Sequence, residues 1–226
     1  MELLEHHFSN LSGNLYYNEE NKNYEMFLNL GRPMHLNYLT FRKLFEEMNE
    51  RTNLKILESG IASYGTNSTY LFNEYVRKYG GHFWSVDNNQ NLVDLHKVNM
   101  CPSTTLVCDD SVNFFKNWCS NNPRTQADVI YLDSYDLDWY NPEPSENHGL
   151  NEYLSLIPCL DKGTLLLIDD TPSKPYWLDT RGKLYYDMIK FYIRNNSLPG
   201  KGRKILNLDK NANLLLHNYQ VLYKFY

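Results

Sequence analysis

Apolar residues along this chain recur in two rhythms. Short runs rich in β-forming residues at Leu54–Leu57, His82–Val86, Thr104–Val107, Val129–Leu132 and Thr164–Ile168 read as strands. Each pair is separated by enough chain for a crossover helix, which predicts a parallel sheet. Helical spacing fills the intervals. Tyr70 to Val76 form a stripe stopped by Tyr79-Gly80-Gly81; Leu92, Leu95 and Val98 mark a second helix; Val112, Phe114, Phe115 and Trp118 mark a third. Leu150 to Ile157 form a fourth that ends before Pro158. Upstream, Phe41, Leu44, Phe45 and Met48 give an amphipathic helix with Asn37 as its N-cap. Downstream, a helix over Lys183–Asn195 precedes a strand at Lys204–Leu208, a turn over Asp209 to Asn213, and a strand within Leu214–Phe225. Residues 1 to 36 have weak periodicity and read as irregular chain or short helices forming a substrate-side cap.

The expected fold is therefore α/β, a Rossmann-like doubly wound and mostly parallel sheet of seven strands closed by an antiparallel C-terminal hairpin. It forms one domain, with an N-terminal helical extension over 1–53 and the core over 54–226. In such sheets ligands sit outside the carboxyl ends of the strands at the switch point.

Composition narrows the function. Hydrophobic residues make up 42% and charged residues 22%, enough apolar material for one sizeable core. A net charge of −5 with scattered Lys and Arg argues against a nucleic-acid partner. Cys101, Cys108, Cys119 and Cys159 show no CxxC pair and no zinc spacing, so reduced thiols in a cytoplasmic protein are expected. The longest apolar run, Leu165–Ile168, is too short to span a bilayer, and the N-terminus has no apolar leader segment.

The first strand runs into Glu58-Ser59-Gly60-Ile61-Ala62-Ser63-Tyr64-Gly65, a glycine turn that opens a helix. Gly60, Ala62 and Gly65 approximate a dinucleotide fingerprint, which leaves an NAD-dependent oxidoreductase open. Glu58 points the other way, because a carboxylate at the strand end repels a pyrophosphate and suits the cationic amino group of S-adenosylmethionine. Asp87 ends the second strand, where an acid can accept both ribose hydroxyls, and Asp109-Asp110-Ser111 ends the third, on the adenine side. Each acid taken alone also suits a helix N-cap.

On these residues the sequence resembles the class I S-adenosylmethionine-dependent methyltransferases from about Leu54 to Tyr226. The resemblance implies cofactor contacts at Glu58, Gly60, Gly65, Ser68, Thr69, Asp87, Asp110 and Ser111. Cys108-Asp109 stands where the family commonly has Gly-Asp.

The fourth strand ends at Asp133 and the fifth at Asp169-Asp170. Neighbouring strand ends would bring these three carboxylates together, where they repel one another unless protonated or bridged by a hard cation such as Mg²⁺, Ca²⁺ or Mn²⁺. The arrangement is similar to that of the metal-dependent small-molecule O-methyltransferases, of the catechol or the sugar and macrolide type. That similarity implies a metal, foremost Mg²⁺, on Asp133, Asp169 and Asp170, which would lower the pKa of a substrate hydroxyl. Those families place Lys or His three residues after the first ligand, where this chain has Asp136. Asp136 and, as an alternative base, His148 at the expected start of the fourth helix are the catalytic candidates. The loop Asp136 to Tyr140 and Pro175-Tyr176-Trp177 are candidate substrate walls.

The expected function is O-methylation of a small hydroxylated molecule such as a sugar or vicinal diol. A non-catalytic S-adenosylmethionine- or nucleotide-binding protein is the alternative, with the oxidoreductase behind it.

Overall fold

In the computed structural model the residues described are 1–11, 15–18, 23–26, 35–61, 65–121, 127–178, 182–206 and 211–226. Helix α1 (Glu2–Ser9) is followed by a two-stranded antiparallel sheet of β1 (Leu15–Asn18) and β2 (Asn23–Met26), then by α2 (Tyr38–Met48). The main alternation follows as β3 (Leu54–Ser59), α3 (Ser68–Tyr79), β4 (Gly81–Asp87), α4 (Gln90–Lys97), β5 (Thr104–Cys108), α5 (Ser111–Asn121), β6 (Val129–Leu132), α6 (Glu143–Leu156) and β7 (Leu165–Ile168). Helix α7 (Lys183–Asn195) and the strands β8 (Ala212–His217) and β9 (Val221–Phe225) complete the chain.

The seven-stranded sheet has the order β5-β4-β3-β6-β7-β9-β8. Strands β3 to β7 are parallel, while β9 runs antiparallel to both β7 and β8. The order reverses between β3 and β6, so the switch point lies at Ser59 and Leu132. The strand alternation feeds two separate cores. Val129, Tyr131, Leu165 and Leu167 face a layer containing Leu4, Phe8, Phe41, Leu44 and Phe72. Ile130, Leu132, Leu166 and Ile168 face Phe115, Trp118, Tyr153 and Leu156. Helices on both faces explain why β6 and β7 are apolar at every position.

The first part of the N-terminal extension belongs to the core. Phe8 is fully buried and stacks with Tyr38 and Phe41, and Phe41 in turn meets Phe72 and Tyr131 edge-on or tilted. Much of the remaining expected cap, residues 12–14, 19–22 and 27–34, lies outside the described residues, as does Ala62 of the dinucleotide-like spacing.

Several local expectations need correction. In α4 the inward residue is Val93, whereas Leu95 and Val98 are 63% and 82% exposed. A short helix over a sheet edge turns only one narrow face inward, and the stripe was read one residue out of phase. His148 lies inside α6, which begins at Glu143 with Pro144 in its first turn. Lys204 to Leu206 form turns rather than a strand, with Ile205 buried as a plug against the second core. Residues 207–210 lie outside the described residues. The hairpin is instead β8 and β9, so the run Leu214–Phe225 is interrupted at Asn218-Tyr219-Gln220. Finally, Cys119 at the end of α5 and Cys159 after α6 form a disulfide with Cα atoms 5.6 Å apart. The free thiols among the four are thus Cys101 and Cys108. Sequence separation of 40 residues hid this pair. Among the described residues no helix is long and apolar enough to cross a membrane.

The Phe41 contacts tie α1, α2 and α3 to the sheet, so Phe41→Ala is expected to destabilise the protein by about 3–5 kcal/mol. Urea unfolding followed by tryptophan fluorescence checks this; a loss below about 1 kcal/mol would mean that the N-terminal layer is not part of the cooperative core.

Candidate active site

Every strand end at the switch point is fastened to its neighbour by backbone hydrogen bonds. Gly60 N donates to Val86 O (2.8 Å), Asp109 N to Asp87 O (3.1 Å), Asp133 N to Ser59 O (3.0 Å) and Asp169 N to Leu132 O (3.0 Å). The side chains that follow the strands are thereby carried to one rim. Gly60 has φ +87°, and a Cβ there would lie 2.6 Å from the Asp133 carbonyl oxygen. Glycine is required because the protein's own β6 end packs against this turn. That differs from the expectation of a ligand pressing on Gly60.

Above this rim opens a cavity of about 730 Å³, within the range of small-molecule sites. One end is lined by Gly60, Gly65, Asp87, Asp110, Ser111 and His148, and the other by Asp133, Asp136, Asp169, Asp170, Lys201 and Tyr219. Among the described residues no atom beyond its chain neighbours lies within 4 Å of the position a Gly65 Cβ would take, and Gly65 lines the cavity. Asp87 holds the loop, with Oδ2 accepting from Ile61 N (3.1 Å) and Oδ1 from Asn89 N (2.8 Å). Asp110 accepts from Asn113 N at 3.0 Å and so also performs the helix-capping role.

Three expected cofactor contacts are placed elsewhere. Glu58, Ser68 and Thr69 are completely buried and do not line the cavity. The Glu58 carboxylate accepts hydrogen bonds from Thr69 Oγ1 and Ser85 Oγ, both at 2.7 Å, which joins β3, β4 and α3 beneath the loop. Burial pushes its pKa up to about 7 despite the hydroxyls of Ser68, Ser85 and Thr69, with Asp133 adding to the rise. Glu58 therefore supports the loop from below.

His148 is shared between Ser111 Oγ at 3.0 Å and the Glu152 carboxylate at 3.6 Å, with Tyr135 stacked on its ring. The hydrogen bond to Glu152 raises its pKa against the opposing effect of burial. Its partner Ser111 places it on the expected adenine side. Asp136 is exposed at the cavity rim. Of the suggested aromatic walls, Trp177 is buried against Leu36, Leu39 and Tyr219, so it packs the fold.

The acids after β6 and β7 do converge. One carboxylate oxygen each from Asp133, Asp169 and Asp170 lie within 4.8 Å of one another. What the sequence reading missed is Lys201, whose ammonium lies 2.9 Å from Asp133 Oδ1 and 3.3 Å from Asp170 Oδ2 with its side chain 4% exposed. Burial alone would lower the lysine pKa, but Asp133, Asp170 and Asp169 raise it well above its ordinary value. Asp169 is pushed well upward by burial and then by the charges of Asp133 and Asp170. The remaining donors were also unforeseen. Tyr131 Oη donates to Asp133 Oδ2 (3.1 Å), Tyr219 Oη to Asp170 Oδ1 (2.7 Å), and Gln220 Nε2 and Asn37 Nδ2 to Asp169 Oδ1 (2.6 and 3.3 Å). Asn37, expected as a side-chain cap of α2, makes no such cap.

No protein-family model matches the sequence, and no curated protein matches it. Among solved structures, the S-adenosylhomocysteine-bound methyltransferase PaMTH1 of Podospora anserina superposes with a TM-score of 0.55 over 100% of this chain and 88% of that one, at 12% identity. The chain has the class I methyltransferase fold. The TDP-rhamnose 3'-O-methyltransferase CalS11 of calicheamicin biosynthesis gives a TM-score of 0.46 at 17% identity, covering 83% of this chain and 78% of CalS11.

The buried Glu58 makes a pH prediction. A carboxyl whose folded pKa lies above its unfolded value near 4.5 favours the folded state least once pH exceeds the folded value. Wild-type stability should therefore fall relative to Glu58→Gln as pH rises from 4.5 through 7, by up to about 3 kcal/mol. Parallel urea titrations of both proteins at several pH values measure the difference, and a pH-independent gap would show that folding leaves the Glu58 pKa unchanged.

Proposed function

We propose that this protein is an S-adenosylmethionine-dependent methyltransferase that acts on a hydroxyl of a small molecule such as a sugar or vicinal diol. The observation that carries this reading is the single cavity, bordered at one end by the Gly60 and Gly65 loop with Asp87, Asp110 and Ser111, and at the other by a charged cluster suited to an alcohol. The methyltransferase fold supports the cofactor half of the reading, and the cluster supports the acceptor half.

When bound, S-adenosylmethionine supplies an electrophilic methyl group on a positively charged sulfur. Asp87 and Asp110 are the acids placed to receive its polar groups, and Gly65 leaves room beside them. At the other end Asp133 and Asp170 accept hydrogen bonds and orient an acceptor hydroxyl, with Lys201 fixed between them. The proton that leaves the hydroxyl goes to a carboxylate at this rim. Asp133 and Asp136 are the candidates, and a carboxylate is a weak general base, which suits a slow catalyst or a readily ionised acceptor. His148 is assigned to the cofactor side, since its ring is engaged by Ser111 and Glu152.

The divalent metal implied by the sequence resemblance does not fit this arrangement. An ammonium group already stands between two of the three acids, and five of their six carboxylate oxygens already accept protein donors that a metal would have to displace or share. No step is therefore assigned to a metal ion.

Calorimetry is expected to show S-adenosylhomocysteine binding with no comparable binding of NAD; the reverse preference would overturn the cofactor assignment. With methyl-labelled S-adenosylmethionine and a panel of sugars and vicinal diols, transfer to oxygen is expected, and Asp133→Asn should lower kcat by about a hundredfold. Tight binding with no transfer to any member of a broad panel would favour a non-catalytic binding protein.

A further inference from the structure

We infer that Lys201 is the resident cation of the acid cluster, holding Asp133, Asp169 and Asp170 together in place of a divalent metal ion. This deepens the reading of the acceptor end of the cavity and rests on that reading only for what the cluster does in catalysis.

Three features of the geometry support it. The first is saturation. Asp133 receives Lys201 on Oδ1 and Tyr131 on Oδ2, Asp170 receives Tyr219 on Oδ1 and Lys201 on Oδ2, and Asp169 Oδ1 receives both Gln220 and Asn37. A hard dication binds best to carboxylate oxygens free of other donors, and five of the six oxygens here already accept N–H or O–H donors from four segments of the chain, which a metal would have to displace or share.

The second is that Lys201 is built in rather than draped over the site. Its backbone N–H donates to Asp170 O (3.1 Å), and Gly202 N donates to Thr171 Oγ1 (2.9 Å). The segment is clamped between β7 and α6. A Cβ on Gly200 would lie 2.6 Å from Asp170 O, and one on Gly149 of α6 would lie 2.5 Å from Lys201 O. The two glycines allow the lysine backbone to approach closely enough that its side chain reaches the cluster from within the fold.

The third is charge. A dication placed among the same oxygens would sit within a few ångströms of a buried ammonium, and at such range in a poorly solvated site like charges repel strongly. Lysine and metal are therefore alternatives at this position. Among the described residues the ammonium spends two of its three N–H donors on Asp133 and Asp170, and the third is available to an acceptor oxygen.

Mn²⁺ serves as the probe, titrated into the full-length protein and followed by the electron paramagnetic resonance of the free ion. The wild-type chain is expected to show no saturable site, and its melting temperature should be the same with Mn²⁺, with Mg²⁺ or with EDTA. Removing the internal charge in Lys201→Met should create a site, raising Mn²⁺ affinity by at least about a hundredfold and giving a melting temperature that climbs with added Mn²⁺. Stoichiometric Mn²⁺ binding by the wild-type chain that disappears in Asp169→Asn would overturn the inference, and so would a folded Lys201→Met protein that gains no Mn²⁺ affinity. The wild-type measurement stands without the variant if Lys201→Met proves too unstable to purify. Because neither readout uses a cofactor or an acceptor, failure of the methyltransferase reading would show separately, as an absence of S-adenosylhomocysteine binding.

Discussion

Three carboxylates cannot share one poorly solvated corner without something to balance them, and the structure around the switch point is arranged to satisfy that constraint. Parallel pairing of β6 with β7 necessarily brings Asp133 beside Asp169 and Asp170, because each acid follows directly on its strand. The answer is assembled from distant segments: Lys201 from the loop after α7, Tyr219 and Gln220 from the β8–β9 turn, Tyr131 from β6 itself, and Asn37 from the approach to α2. The C-terminal hairpin thus does more than close the sheet edge. Its turn carries two of the donors that hold the cluster.

The other half of the cavity follows a different logic. Its acids are used first to fasten backbone, with Asp87 on Ile61 and Asn89 and Asp110 on Asn113. Glu58 is sunk further still, beneath the loop it was expected to present, and its carboxylate binds hydroxyls from α3 and β4. Strand ends fastened in this way suit a pre-formed ligand site, because little ordering entropy is then lost on binding. The two ends of the cavity divide the work accordingly, one as a shaped cradle and the other as a charged pocket with a fixed counter-ion.

The distinction between a metal-held and a lysine-held cluster has a chemical consequence. A divalent ion acts as a Lewis acid on a hydroxyl oxygen, whereas an ammonium donates a hydrogen bond and a single charge. Activation of the acceptor would be weaker with lysine, and the acids would rely on position more than on polarisation. The residues that set this balance lie on Gly200-Lys201-Gly202, a short segment whose sequence reads as a simple turn.

What the sequence determined by itself was local and periodic. The five parallel strands, the helices from α2 to α7 and the acids at four strand ends are all legible, because hydrophobic period and strand-end position are properties of neighbouring residues. Even there the reading slipped where burial is one-sided, as with Val93 in α4, or where an apolar run contains a turn, as at Asn218-Tyr219-Gln220. Gly200-Lys201-Gly202 carried one visible signal, a lone lysine between two glycines, but nothing local says which side chains it will face. Only the tertiary structure decided that Lys201 lies among the acids, that Glu58 points inward, that Asn37 serves Asp169 instead of its own helix, and that Cys119 meets Cys159. Each of these joins residues far apart in the chain, and such contacts are set by how layers pack and how strand ends align, which no window of adjacent residues contains.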